Sequence, residues 1–136
     1  LAAEVGVQPI IGCQVNIRGE AREERGRLAV VGGTGHVSPP PDQLVLLAQS
    51  EAGYQNLMAL VSQAYLDTDP GEAPQIDLAQ LAARADGVIA LTGGPSGPVN
   101  RLLAGEQTQA ARSTLETLLK IFPNGKLQTA RYGLIP

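Results

Sequence analysis

Short runs of apolar, often β-branched residues constrain this chain most. Pro9 to Ile17 (Pro-Ile-Ile-Gly-Cys-Gln-Val-Asn-Ile), Gln43 to Gln49 (Gln-Leu-Val-Leu-Leu-Ala-Gln) and Val88 to Leu91 carry little polar interruption and read as buried strands. Leu28 to Val31 and Leu127 to Ala130 are weaker strand candidates of the same kind. Helical patterns lie between them. Buried strands separated by helices predict an α/β architecture with mainly parallel pairing.

The helices carry local punctuation. Ser50 can cap a helix with Glu51 in its first turn, and Tyr54, Leu57, Met58, Val61 and Tyr65 follow at helical spacing as one apolar face. On that reading Met58 and the tyrosines belong to the core. Asp67 to Pro74 is a turn-rich connector, and Asp77 caps a short helix over 78–85 that Gly87 stops. Val99 to Ala104 suggests a short helical piece. Ala111, Leu115, Leu118, Leu119 and Phe122 mark a longer helix ending at Pro123-Asn124-Gly125.

Composition narrows the function classes. The 136 residues fit one domain, and 43% hydrophobic against 17% charged residues allow a buried core. Aromatics are only 3%, so few flat faces exist on which bases could stack. Thirteen acids against ten bases give a net charge of -3, which disfavours a direct grip on phosphates. A single Cys excludes an internal disulfide and a cysteine-only zinc site, and a single His confines imidazole chemistry to one position. No apolar stretch is long enough to cross a bilayer.

Several motifs invite a functional reading that their context withdraws. Val30-Val31-Gly32-Gly33-Thr34-Gly35 follows a strand candidate, but Pro39-Pro40-Pro41 stands where a dinucleotide-binding turn needs a helix. The same composition predicts a flexible Gly/Pro loop over about 32–42. Thr92-Gly93-Gly94-Pro95-Ser96-Gly97 is a second glycine-rich loop after a strand, with no Lys near it to serve a phosphate. His36 is a lone loop imidazole. Cys13, between Gly12 and Gln14, reads as a small buried apolar side chain because no flanking charge would lower its pKa. Asp67, Asp69 and Glu72 form a loose acidic cluster without the ligand spacing of a calcium loop. Arg18 to Arg27 carries four Arg and three Glu, whose charges nearly cancel in a solvated turn or hairpin arm.

The first residue is Leu1, the segment to Gly6 reads as the last turns of a helix, and Arg131 to Pro136 stops without a polar tail. The expectation is a window cut from a longer polypeptide.

Gly6-Val7-Gln8-Pro9-Ile10-Ile11-Gly12-Cys13, Leu44-Val45-Leu46-Leu47-Ala48-Gln49 and Glu51-Ala52-Gly53-Tyr54-Gln55-Asn56-Leu57-Met58 come in a familiar order. Gly87-Val88-Ile89-Ala90-Leu91-Thr92-Gly93-Gly94 and Arg131-Tyr132-Gly133-Leu134 complete it. The chain resembles the polymerase-and-histidinol-phosphatase (PHP) domain of the bacterial DNA polymerase III alpha subunit, over nearly its whole length. The resemblance implies a partial, distorted β/α barrel, with residues 1–136 as one incomplete PHP domain. Some family members bind a cluster of metal ions and remove 3′ nucleotides. In others the metal site has decayed, and the domain is a scaffold and docking surface for a separate proofreading exonuclease.

The resemblance also places three metal-ligand positions. Active members carry a Glu where this chain has Gln14, a His where it has Gln43, and a Cys where it has Gly94. A Gln amide is neutral and a weak ligand, and Gly has no side chain to offer. Metal-assisted hydrolysis needs a cation to acidify water and stabilise a leaving oxygen. The resemblance therefore implies a degenerate metal site, with no catalytic or metal-binding residue within the chain. Tyr132 also departs from the family's Arg-His-Gly ending, and no role follows from that alone.

The expectation is a non-catalytic structural and protein-interaction part of a cytoplasmic replicative polymerase. Its partners would be a proofreading exonuclease subunit and other replisome subunits, and magnesium would serve the parent enzyme only. The alternative is a metal-dependent phosphoesterase or 3′-5′ exonuclease using ligands outside the chain. A nucleotide-binding module built on the glycine loops ranks last. Exposed strand edges in a truncated barrel also predict self-association.

Overall fold

The structure is a computed structural model and describes residues 2–18 and 40–129. A 3-10 turn over Ala3–Val5 precedes β1 (Gly12–Ile17) and β2 (Asp42–Ala48), followed by α1 (Glu51–Leu66) and α2 (Leu78–Ala83). Then come β3 (Val88–Leu91), α3 (Pro98–Ala104), α4 (Thr108–Ile121) and β4 (Leu127–Gln128). The strand candidate at Leu28 to Val31, the Arg/Glu segment beyond Arg18, His36 and the Gly32–Gly35 motif lie outside the described residues. So do Ala130 and the Arg131 to Pro136 ending. Of the expected Gly/Pro loop only the far end is described, and there Asp42 already opens β2.

The helix boundaries follow from their capping chemistry. The Ser50 hydroxyl accepts from the Gly53 N–H at 3.2 Å and starts α1. Asp77 accepts from the Gln80 N–H at 2.7 Å while the Gln80 amide oxygen accepts from the Asp77 N–H at 3.0 Å, a reciprocal capping box on α2. That helix ends at Ala83, two residues before the expected stop, and Gly87 instead makes the turn into β3 with φ +68. Pro98 sits at the first position of α3, where its missing N–H costs nothing. Pro123 follows the end of α4.

One face of the sheet carries the core. Val15, Ile17, Leu44, Leu46, Val88 and Ala90 alternate onto it and meet Leu57 and Leu60 of α1, Leu81 of α2, and Leu118 and Phe122 at the end of α4. Each large aliphatic or Phe side chain buried there contributes about 1.5–3 kcal/mol.

The pairing differs from the parallel sheet expected. The strands run in the order β1-β2-β3-β4, with β1–β2 and β2–β3 antiparallel and only β3–β4 parallel. For β2 and β3 the cause is the end of the sheet to which the connection returns the chain. The start of α1 packs on Gly87 beside the start of β3, while the Asn16 amide near the end of β1 donates to Pro74 O at 2.9 Å. So α1 carries the chain to the far end of the sheet, and α2 brings it back before β3 begins. Returned to the end where β2 leaves, β3 must run antiparallel to β2; helix number alone does not decide, since two helices also separate β3 from its parallel neighbour β4. Among the described residues the sheet is open, and these four strands do not confirm the partial, distorted barrel implied by the family resemblance.

The rotation of α1 also differs. Its buried residues are Gly53, Leu57, Leu60 and Ala64. Tyr54 is 41% exposed, Met58 46% and Tyr65 70%, so the stripe expected in the core lies largely on the surface. The two stripes are only one residue apart, about 100° around the helix. Gly53 decides between them, because a β-carbon there would stand 1.8 Å from Gly87 O. Only the glycine face of α1 can approach β3.

Candidate functional site

The alternation of β1 and β2 decides where the resemblance-derived positions fall. Val15, Ile17, Leu44 and Leu46 face the helices, so Gln14, Asn16, Gln43 and Val45 face the opposite side of the sheet. The register pairs Gln14 with Val45 and Asn16 with Gln43. Gln14 and Gln43 are therefore diagonal neighbours on one face, with backbones about 7–8 Å apart. Gln14 is exposed and Gln43 half-buried.

Gly94 reaches the same rim through the loop after β3. Val45 pairs with Leu91, so continuing that register brings Gly93 opposite Gln43. A β-carbon on Gly93 would stand 2.1 Å from Gln43 O, and one on Gly97 would stand 1.9 Å from Thr92 O. The Gln43 N–H donates to Ser96 O at 2.9 Å, while Gly94 O accepts from the Gly97 N–H at 3.0 Å and from the Asn100 amide at 2.8 Å. Gly93 and Gly94 have φ of +78 and +25, which side-chain-bearing residues rarely adopt. The glycines allow backbone to lie on backbone, and the loop closes over the Gln43 end of β2.

The fold thus gathers Gln43 and the Gly94 loop at the C-terminal ends of β1 and β3, with Gln14 on the same face. The donor set is two neutral amides and a glycine, and it does not fit a cluster of divalent metals, which needs carboxylate and imidazole donors. Among the described residues, no group of three or more His, Cys, Asp or Glu is placed to hold a metal ion.

One pair of charged residues beside this rim escaped sequence reasoning. Asp42, only 5% exposed, accepts from Arg101 through both carboxylate oxygens: Nε to Oδ1, and Nη2 to Oδ2 at 2.8 Å. The hydrogen bond to Asp42 raises the Arg101 pKa above its ordinary value, against a smaller opposing effect of burial. The partners are 59 residues apart, so no local spacing announces them. The only signal was an acid opening an otherwise apolar run.

The other singled-out residues do not join the rim. Cys13, expected to be buried, is half-buried, because it projects beside the edge of the core into an open apolar groove. Burial pushes its thiol pKa up, away from nucleophile chemistry. The groove encloses about 410 Å³ and is lined by Ile11, Cys13, Tyr54, Leu57, Met58 and Val61. In the acidic connector, Glu72 accepts from the Gln75 amide at 2.8 Å and Asp67 from the Gln80 amide at 2.9 Å. No helix among the described residues is long and apolar enough to cross a membrane.

A family model described as PHP domain matches residues 1–128. The chain belongs to the PHP domain family. It is similar to the DNA polymerase III subunit alpha of Caulobacter vibrioides, at 36% identity over 98% of this chain and 11% of that protein. It is likewise similar to proteins of that name from Vibrio cholerae (38% identity; 82% of this chain, 8% of that protein) and Thermus aquaticus (36%; 89% and 9%). The chain spans about a tenth of the length of these curated relatives.

Proposed function

We propose that this chain is a non-catalytic structural and protein-interaction part of a replicative DNA-directed DNA polymerase acting in DNA replication. The similarity to DNA polymerase III alpha subunits supports the polymerase setting. The observation that carries the non-catalytic reading is the rim itself: Gln14, Gln43 and Gly94 stand at the positions where the family resemblance puts metal ligands. Neutral amides and a glycine cannot gather divalent cations tightly enough to acidify a bound water.

On this reading the parent protein is cytoplasmic and uses magnesium at a polymerase site outside residues 1–136. Its partners are a proofreading exonuclease subunit and other replisome subunits, docked on the PHP domain's surface. The net charge of -3 supports protein contact over a direct grip on nucleic acid.

A hydrolysis assay separates this from a metal-dependent phosphoesterase or 3′-5′ exonuclease with ligands elsewhere. The longer polypeptide carrying this chain, stripped of metal and then reloaded with manganese, zinc or magnesium, is offered 3′-labelled single-stranded DNA with the polymerase site inactivated. No release of 3′ nucleotides in either state is expected. Metal-dependent release would establish the hydrolase.

A further inference from the structure

We infer that Asp42 and Arg101 form a positioning clamp that holds the Thr92–Gly97 loop against the Gln43 end of β2. The loop contains Gly93, Gly94 and Gly97, and a glycine-rich segment loses more backbone freedom on ordering than any other. Its order has to come from outside. The contacts of Gly94 O with Gly97 and Asn100 tie the loop only to the start of α3, making loop and helix one unit. Two polar links join that unit to β2: the Gln43 N–H to Ser96 O, and Arg101 to Asp42.

Of these the ion pair is the stronger. It is bidentate and charge-assisted, and its carboxylate is buried at the first residue of β2, one position from Gln43. Arg101 lies in the last turn of α3, so the clamp grips the far end of the loop–helix unit while Ser96 grips the near end. A guanidinium is required, because an ammonium cannot match both carboxylate oxygens in one plane. The clamp works from the helix-covered side of the sheet, since Asp42 alternates with Gln43. It therefore does not depend on whether the open face binds a metal.

Amide hydrogen exchange tests this in the natural chain and in Arg101→Lys, Arg101→Gln and Asp42→Asn. The Gln43 amide, bonded to Ser96 O, reports docking on β2; the Gly97 amide, bonded to Gly94 O, reports the order that docking gives the loop; and those of Leu60 and Leu118 report the core. The clamp predicts exchange faster by about tenfold or more at Gln43 and Gly97 in all three variants, with less than about twofold change at Leu60 and Leu118. The Asp42→Asn/Arg101→Gln double variant should accelerate no further than either single one. Unchanged exchange at Gln43 and Gly97 would overturn the clamp. So would equal acceleration at all four amides, which would leave the pair only a general stabilising role, and so would full rescue by Arg101→Lys.

Discussion

The α-carbon of Gly53 lies so near Gly87 that an added β-carbon would stand 1.8 Å from the Gly87 carbonyl oxygen. This contact fixes both the rotation of α1 and its distance from β3. Gly87 returns it: a β-carbon there would stand 2.6 Å from Gly53 N, at a φ of +68. Gly53→Ala must push α1 off the sheet and away from Leu44, Leu46 and Val88. We expect it to destabilise the chain by about 3 kcal/mol or more, at the upper end of overpacking costs. Urea unfolding measures this. An Ala variant within about 0.5 kcal/mol of the natural chain would show that the helix is not held this closely.

Much of the fold is legible in the sequence where the signal is local. The apolar run that opens at Gln43, the Ser50 and Asp77 caps and the stop at Pro123 all act within a few residues, and each appears where its chemistry puts it. The rotation of α1 was not legible, because two stripes at helical spacing compete and a contact with a distant glycine chooses. Nor was strand direction, which depends on the end of the sheet to which each connection returns the chain. Of the rim, Gln14, Gln43 and Gly94 could be named from the resemblance. Asp42 and Arg101 could not, because only the closed fold makes them neighbours.

The Cys13 thiol gives a pH dependence with a defined sign. Burial raises its folded pKa above the ordinary thiol value, so the folded chain holds the proton to higher pH than the unfolded chain does. Its contribution to stability is complete below the ordinary thiol pKa and is lost as pH rises through the folded value. Stability measured from pH 8 to 10.5 should therefore fall more for the natural chain than for Cys13→Val. Alkylation by iodoacetamide should also be slower than for a free thiol at pH 8. Equal pH slopes in the two proteins would remove burial as the cause.

Self-association is expected at the outer edge of β1. The Ala48 N–H donates to Ile11 O, so odd-numbered residues of β1 bond to β2 while Gly12, Gln14 and Asn16 turn their backbone groups outward. The connector meets Asn16 through Ile76, leaving Gly12 and Gln14 without a strand partner among the described residues. Gln14→Pro removes one outward N–H at an edge position that tolerates proline. Light scattering across a concentration series should show dimers for the natural chain and fewer for this variant. A natural chain that stays monomeric at millimolar concentration would dismiss the edge as an interface.

The rim of Gln14, Gln43 and Gly94 is expected to hold no metal. Elemental analysis is the direct measurement, on the longer polypeptide purified with and without added manganese and zinc. The comparison is the Gln14→Glu/Gln43→His/Gly94→Cys variant, which restores the donor types the family resemblance implies. Gly94→Cys meets a φ of +25, and a sparsely populated backbone region costs about 1–3 kcal/mol, still small beside metal–ligand bonds. No stoichiometric metal is expected in the natural sequence, and bound metal is expected in the variant. Stoichiometric metal in the natural sequence would contradict the non-catalytic reading and make the hydrolase the better one.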